Sequence, residues 1–176
     1  MKHLTMDHDS QWFAADLLER FGRYTRIHTT SDPHNPACPS SPGQWDLARV
    51  LETELKDLGL KDVWVSDQCY VMARLPATKG YEHVPSVGFL AHLDTSSDTA
   101  GKDVRLQVHA NWQGGVIHLN GGVSIDPADY PAMLPYKGKT LLTSDGTTLL
   151  GADDKAGVAE IMTALRWLVS HPELPH

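Results

Sequence analysis

Apolar residues recur at helical spacing in three stretches of the chain. Phe13, Leu17 and Phe21 follow one another at intervals of four, and the two other stretches show similar stripes. Gly59 follows the second stripe as a natural left-handed cap, and Pro172 stops the third. The pattern predicts three helices, over residues 12–24, 44–58 and 155–169.

Short apolar segments between these stretches have the character of strands. Residues 87–93 form a continuous apolar run, which is typical of a strand buried within a sheet. Ser144-Asp145-Gly146 indicates a hairpin turn between two flanking segments. The predicted strands are 63–65 paired with 71–75, then 87–93, 104–108, and 140–143 paired with 147–150. Because helices and strands alternate in the first half, we expect an α/β layered domain.

Two polar segments show neither the helical nor the strand spacing of apolar residues. Residues 1–10 lack an apolar pattern and are expected to form a mobile tail. Residues 29–43 are rich in Ser, Pro, Asn and Asp, which predicts a loop. A loop of about fifteen residues is unusual in a compact domain and suggests a function or a flap.

Composition narrows the function classes. With 176 residues, one domain is expected, and the net charge of −7 disfavours a nucleic-acid partner. We see no signal peptide and no apolar run of about 18 residues that would span a membrane, so we expect a soluble cytoplasmic protein. Cys38 and Cys69 have no metal-type spacing and are expected to be free thiols.

A histidine and an aspartate end the apolar run. His92 and Asp94 are two residues apart, so on a strand both side chains would face the same side. Open α/β sheets bind their ligands at the carboxyl ends of the strands, where His92 and Asp94 would lie. A carboxylate often orients a metal-bound imidazole. The alternative is a solvated strand end with a turn-forming aspartate.

Two adjacent carboxylates precede the third helix. Asp153 and Asp154 could both cap that helix, because aspartate satisfies free N–H groups there. One cap needs only one aspartate, however, and two neighbouring acids repel each other unless a cation is near. Carboxylate and imidazole ligands together suit zinc, manganese or cobalt.

The two patterns together resemble the peptidase T family of tripeptide aminopeptidases. The resemblance rests on residues 88–96 (GFLAHLDTS) and 147–162 (TTLLGADDKAGVAEIM), and it extends over nearly the whole chain. This family is related to aminoacylase-like and glutamate-carboxypeptidase-like zinc exopeptidases. The resemblance implies a zinc-exopeptidase catalytic domain, with helices packed on a mixed central sheet.

The resemblance also implies roles for individual residues. His92 would be a ligand to one zinc, and Asp94 the catalytic aspartate that supports it. Asp153 would bridge two Zn²⁺ ions, for which Mn²⁺ or Co²⁺ are alternatives. Asp154 would be a neighbour and not a ligand, and we expect a cis peptide bond between Asp153 and Asp154. The implied reaction is attack of a metal-activated water on the first peptide carbonyl of a short peptide substrate.

Part of the family pattern is not found in the sequence. The family has a Glu-Glu pair that supplies the general base and a ligand, and no such pair follows Asp153. We therefore expect residues 11–176 to be the N-terminal part of the catalytic domain, without its C-terminal portion and its lid or dimerisation domain. We expect these residues alone to be inactive, with a homodimer as one option for the full-length protein.

Three alternatives stay open at this point. A related dipeptidase or an N-acyl amino acid deacylase would share the same zinc site. A truncated domain that binds peptides or a partner without catalysis would share only the fold. A nucleotide-binding α/β domain is disfavoured, because the sequence has no GxGxxG motif and no P-loop.

Overall fold

Three α-helices form the largest regular part of the protein. The computed structural model describes the backbone of residues 6–176 and the side chains of residues 9–176. The helices are α1 (Met6–Thr25), α2 (Pro42–Asp57) and α3 (Ala152–Ser170). All three predicted helices are confirmed, and Gly59 has the left-handed backbone (φ 77°) expected after α2. No helix within residues 6–176 is long and apolar enough to cross a membrane.

The first helix begins earlier than predicted. It starts at Met6, within the segment that we expected to be a mobile tail, and residues 1–5 lie outside the described part of the chain. The rings of Trp12 and Phe13 pack against Trp167 of α3, at centroid distances of 5.0 and 4.7 Å. Helix formation is cooperative, and this docking therefore favours helix in the turn before the aromatic residues.

The core lies where the three helices meet. Burying one large apolar side chain stabilises the folded protein by about 1.5–3 kcal/mol relative to leaving it exposed. The helical stripes seen in the sequence supply most of the cluster, so the predicted core faces are confirmed. The buried members are Phe21, Tyr24, Leu47, Leu51, Leu55, Leu60, Val158, Ala159 and Met162.

The strands pair two by two. The predicted hairpin is confirmed as β1 (Lys61–Val65) and β2 (Val71–Arg74), which are antiparallel. Two further antiparallel pairs join β3 (Gln107–His109) to β6 (Leu141–Thr143), and β4 (Ile117–His118) to β5 (Ser124–Ile125). The mixture of helix and strand agrees with an α/β class. The single mixed central sheet that we expected is not formed among residues 6–176, where three small sheets are found instead.

The prediction of a buried strand over residues 87–93 is wrong. Phe89 and Leu90 are 76% and 94% exposed. Within the described part of the chain, no backbone hydrogen bond is formed by residues 87–93. A strand needs a neighbour that accepts and donates its backbone hydrogen bonds, and no described strand lies beside this segment. The apolar run is therefore part of none of the three sheets.

The predicted hairpin around residues 144–146 is also wrong. The strand before this turn, β6, pairs with β3, and residues 147–150 form no strand. The turn is closed instead by side chains: Ser144 Oγ donates to the carbonyl of Thr148 at 2.7 Å, and Thr147 N–H donates to Asp145 Oδ1 at 2.9 Å. Such local bonds compete with a strand ladder for the backbone groups. The strand expected over 104–108 is present as β3, but it begins at Gln107.

Candidate active site

His92 and Asp94 lie on the exposed side of the segment that ends the apolar run. Ala91 and Leu93, which alternate with them, are partly buried against the helical core. The side chains of His92 and Asp94 are 52% and 44% exposed. Alternation therefore places both groups on one face, as predicted, although the segment forms no sheet.

The segment is held at its end by a short parallel contact. Thr95 N–H donates to the carbonyl of Thr29 at 3.2 Å, and Ser31 N–H donates to the carbonyl of Thr95 at 3.0 Å. Thr95 and Thr29 are both buried. These bonds fix the chain directly after Asp94, which compensates locally for the missing ladder.

Asp153 reaches the site from the start of α3. Gly151 has a left-handed backbone (φ 76°), and a Cβ added there would lie 3.2 Å from Cγ2 of Thr95. Glycine at this position therefore allows the two loops to approach closely. Asp153 and Asp154 have non-helical backbone angles, and the expected cis peptide bond between them is present.

The structure brings His92 and Asp153 together across 61 residues of sequence. Nε2 of His92 lies 2.9 Å from Oδ1 of Asp153. Nδ1 of His92 lies 2.9 Å from the backbone carbonyl oxygen of Asp94 and 3.1 Å from its Oδ1. All three predicted site residues thus form one contact chain, with the imidazole ring between two aspartates.

The surroundings of the ring favour positive charge. Burial lowers the pKa of His92, but the hydrogen bonds to Asp153 and Asp94 outweigh it and leave the pKa above its usual value. With Nδ1–H donated to Asp94, a neutral ring directs its Nε2 lone pair at the Asp153 carboxylate. Two acceptors facing one ring stabilise a cation at Nε2, which can be a proton or a metal ion.

The pair also fits a shared metal ion. Two ligands of one tetrahedral zinc, each at about 2.0–2.1 Å, lie about 3.3 Å apart. The observed 2.9 Å between His92 Nε2 and Asp153 Oδ1 is close to that separation. No group of three or more His, Cys, Asp or Glu side chains that could hold a metal is found where the structure describes the chain. Within this part of the chain, His92 and Asp153 could therefore supply at most two ligands to such an ion.

The two adjacent aspartates have different partners. Asp153 and Asp154 interrupt the helical angles near the start of α3, and the regular turns follow this kink. Asp154 Oδ1 accepts the backbone N–H of Gly157 at 3.2 Å, which is the contact that an N-cap makes with the third residue after it. The Asp153 side chain is 95% exposed and turns to His92 instead. The capping interpretation is therefore right for one aspartate, and the other is available to a ligand.

Sequence reasoning missed two residues next to this site. Ser31 Oγ donates to Asp94 Oδ2 at 2.5 Å, and no pattern distinguishes this serine from others in the same loop. Lys155 is 1% exposed and donates its Nζ to the carbonyl of Ile27 at 2.6 Å, while burial lowers its pKa to about 8. A lysine in the first turn of a helix opposes the helix dipole, and this was an available signal of a special role.

Comparison with known proteins agrees with the resemblance seen in the sequence. No protein-family model matches the chain. The chain is 52% identical over 163 residues to a peptidase T of Geobacillus kaustophilus (strain HTA426), covering 92% of the chain and 39% of that protein. It is 50% identical over the same length to a peptidase T of Listeria monocytogenes serotype 4a (strain HCC23), covering 92% and 40%. The chain thus spans about two-fifths of the length of these relatives, and its resemblance to peptidase T is confirmed.

Proposed function

We propose that this chain is part of a metallo-aminopeptidase that releases the N-terminal residue of tripeptides with two Zn²⁺ ions. The observation that carries this proposal is the 2.9 Å contact between His92 Nε2 and Asp153 Oδ1. Residues 61 positions apart converge there with an excess of negative charge. The identity of about 50% to proteins named peptidase T supports the choice of a peptidase.

Each residue of the contact chain has a defined task in this proposal. His92 would hold a metal through Nε2, and Asp153 would supply its exposed carboxylate to the same site. Asp94 would accept the hydrogen bond from Nδ1–H and so keep the Nε2 lone pair directed at the metal position. When bound, the metals supply Lewis-acid activation of water and of the peptide carbonyl. Mn²⁺ or Co²⁺ would suit the same ligands.

Two ligands are fewer than a catalytic zinc site uses, which is usually three plus water. The described residues supply His92 and Asp153 and no third ligand beside them. We therefore expect the 176-residue chain alone to hydrolyse no tripeptide, and the full-length protein that contains it to be the active form. Further ligands and the general base would come from outside residues 6–176.

The test is made on the full-length protein that contains this chain. Metal content is measured together with the rate of tripeptide hydrolysis, before and after treatment with a chelator. The variant His92→Ala should lose both bound metal and activity. The matched control His118→Ala removes an exposed histidine from β4 and should keep both. Full hydrolysis in the presence of chelator would overturn the proposal, and release of acyl groups in place of amino acids would favour a deacylase.

A further inference from the structure

The long loop before α2, over residues 29–41, places the side chain of Ser31 next to Asp94. Ser31 Oγ donates a hydrogen bond to Asp94 Oδ2 at 2.5 Å. The other oxygen of that carboxylate, Oδ1, lies 3.1 Å from His92 Nδ1. We infer that Ser31 is a positioning residue for the metal site: it fixes the Asp94 carboxylate and, through it, the His92 ring. This inference rests on the proposed function.

The backbone holds Ser31 at a fixed distance from Asp94. Its N–H donates to the carbonyl of Thr95, the residue after Asp94, at 3.0 Å. Thr30 and Thr95 form a parallel bridge, and their hydroxyl oxygens lie 3.3 Å apart. Since Thr95 is buried, the Ser31 hydroxyl is attached to a rigid part of the molecule although Asp94 itself is half-exposed.

The Asp94 carboxylate needs such an anchor. Nδ1 of His92 is already 2.9 Å from the backbone carbonyl of Asp94, so the side-chain oxygen shares that proton and does not hold it alone. An exposed carboxylate with one shared contact can rotate away into water. The bond from Ser31 holds Oδ2 and thereby keeps Oδ1 facing the ring. Outer partners of this kind typically change metal affinity or activity 10–100-fold when removed.

The same loop offers control positions that do not touch Asp94. Ser40 Oγ accepts the N–H of Asp32 at 3.0 Å and holds the loop internally. Ser41 Oγ is buried and makes no hydrogen bond to any described residue. Ser41→Ala therefore removes the same atom from the same loop without removing a bond, and Ser40→Ala loosens the loop without removing the bond to Asp94.

The experiment measures the ring nitrogens of His92 by NMR in the full-length protein that contains this chain, labelled with ¹⁵N-histidine. Spectra are recorded without metal and during titration with Zn²⁺. Ser31→Ala should shift or broaden the Nδ1 signal without metal and weaken Zn²⁺ binding at His92 about tenfold, the lower end of the outer-partner range. Ser31→Thr keeps the hydroxyl and should behave like the wild type, as should Ser40→Ala and Ser41→Ala. Ser31→Cys keeps the side-chain size with a weaker donor and serves if Ser31→Ala does not fold.

A double-mutant cycle with Asp94→Asn separates positioning from general loop support. If Ser31 acts through Asp94, its loss should have little further effect once the carboxylate is gone, whereas a structural effect would add in full. Additive losses overturn the inference, and so does an Nδ1 signal in Ser31→Ala equal to that in Ser41→Ala. Full-length protein whose His92 signals ignore Zn²⁺ overturns the proposed metal site instead, since the metal-free spectra alone decide whether Ser31 orients the ring.

Discussion

Two groups of charged residues in this protein use the same side-chain types to different ends. Between the helices, Asp16 accepts hydrogen bonds from Arg20, Arg166 and Thr163, and Arg20 also pairs with Glu54. The side chains of Asp16 and Arg20 are 4% and 7% exposed. Positive and negative groups alternate there, and each has its partner within the chain. We refer to these five residues as the helix cluster.

The site around His92 lacks this balance. Two aspartates, Asp94 and Asp153, face a single imidazole, and all three side chains are at least 44% exposed. Carboxylates gathered around one weak base attract a cation, whereas a balanced buried network has no further demand for charge. The comparison indicates that buried charges which balance one another stabilise the fold, whereas an exposed excess of negative charge favours binding of a cation.

The largest effect is expected in the helix cluster. Asp16→Ala leaves Arg20 and Thr163 without their shared acceptor in a buried place, so we expect a loss of about 3–5 kcal/mol in the free energy of unfolding. Urea denaturation measures this. The matched control is Asp46→Ala, which removes an exposed pair with Arg49 and should cost about 0–1 kcal/mol. Equal costs for the two variants would remove the distinction between the regions.

Apolar side chains sharpen the same comparison. Leu47 is fully buried between the helices, and Leu47→Ala should destabilise the protein by about 2–5 kcal/mol through lost burial and a cavity. Leu90, next to the site, is 94% exposed, and Leu90→Ala should change stability by less than about 0.5 kcal/mol. Urea denaturation of the 176-residue chain measures both variants. A large loss of stability in Leu90→Ala would mean that residues 87–93 pack against other residues in solution.

These contrasts show which parts of the structure the sequence could predict. The helices and the β1–β2 hairpin depend on neighbours close in sequence, so the spacing of apolar residues was sufficient. Residues 87–93 have the composition of a buried strand, but a strand forms only beside another strand, and local composition carries no information about that neighbour. The prediction of a hairpin around Ser144 failed for a related reason, because side-chain hydrogen bonds replaced the expected strand pairing.

The site was predictable to a different degree. The convergence of His92 and Asp153 followed from resemblance, since no local spacing connects residues 61 positions apart. The different contacts of Asp153 and Asp154 followed in part from the argument that one helix cap needs only one aspartate. Ser31 could not have been found, because its contact with Asp94 depends on the bridge between Thr30 and Thr95 and not on any sequence pattern.

Acid should weaken the helix cluster. Burial raises the pKa of Asp16, but hydrogen bonds from two arginines and Thr163 outweigh it and leave the pKa below its usual value. A carboxyl with a lowered pKa in the folded state stabilises the protein above its unfolded pKa of about 3.9, and that stability is lost as the pH falls through the lower folded value. The free energy of unfolding should therefore fall below about pH 4. Asp16→Asn should flatten this dependence, and an unchanged profile in that variant would contradict the assignment.

The smallest effects on stability are expected at Asp153 and Asp154. One substitution should change only the stability, and the other only the response to Zn²⁺. Asp154→Ala removes the cap on Gly157 N–H and should cost about 0.5–2 kcal/mol, while the response of His92 to Zn²⁺ is kept. Asp153→Ala removes an exposed side chain and should change stability by less than about 0.5 kcal/mol, while the Zn²⁺ response is lost. Urea denaturation and Zn²⁺ titration followed by NMR of the His92 ring measure the two properties on the same samples.

This pair of variants decides between two interpretations of the aspartates at once. If both were helix caps, both substitutions would destabilise the chain and neither would change metal binding. If both were ligands, both would weaken the Zn²⁺ response with little effect on stability. Only a division in which Asp154 serves the helix and Asp153 serves the cation produces opposite results in the two measurements. The contacts of the two carboxylates are the reason to expect that division, because one is bonded to Gly157 and the other to His92.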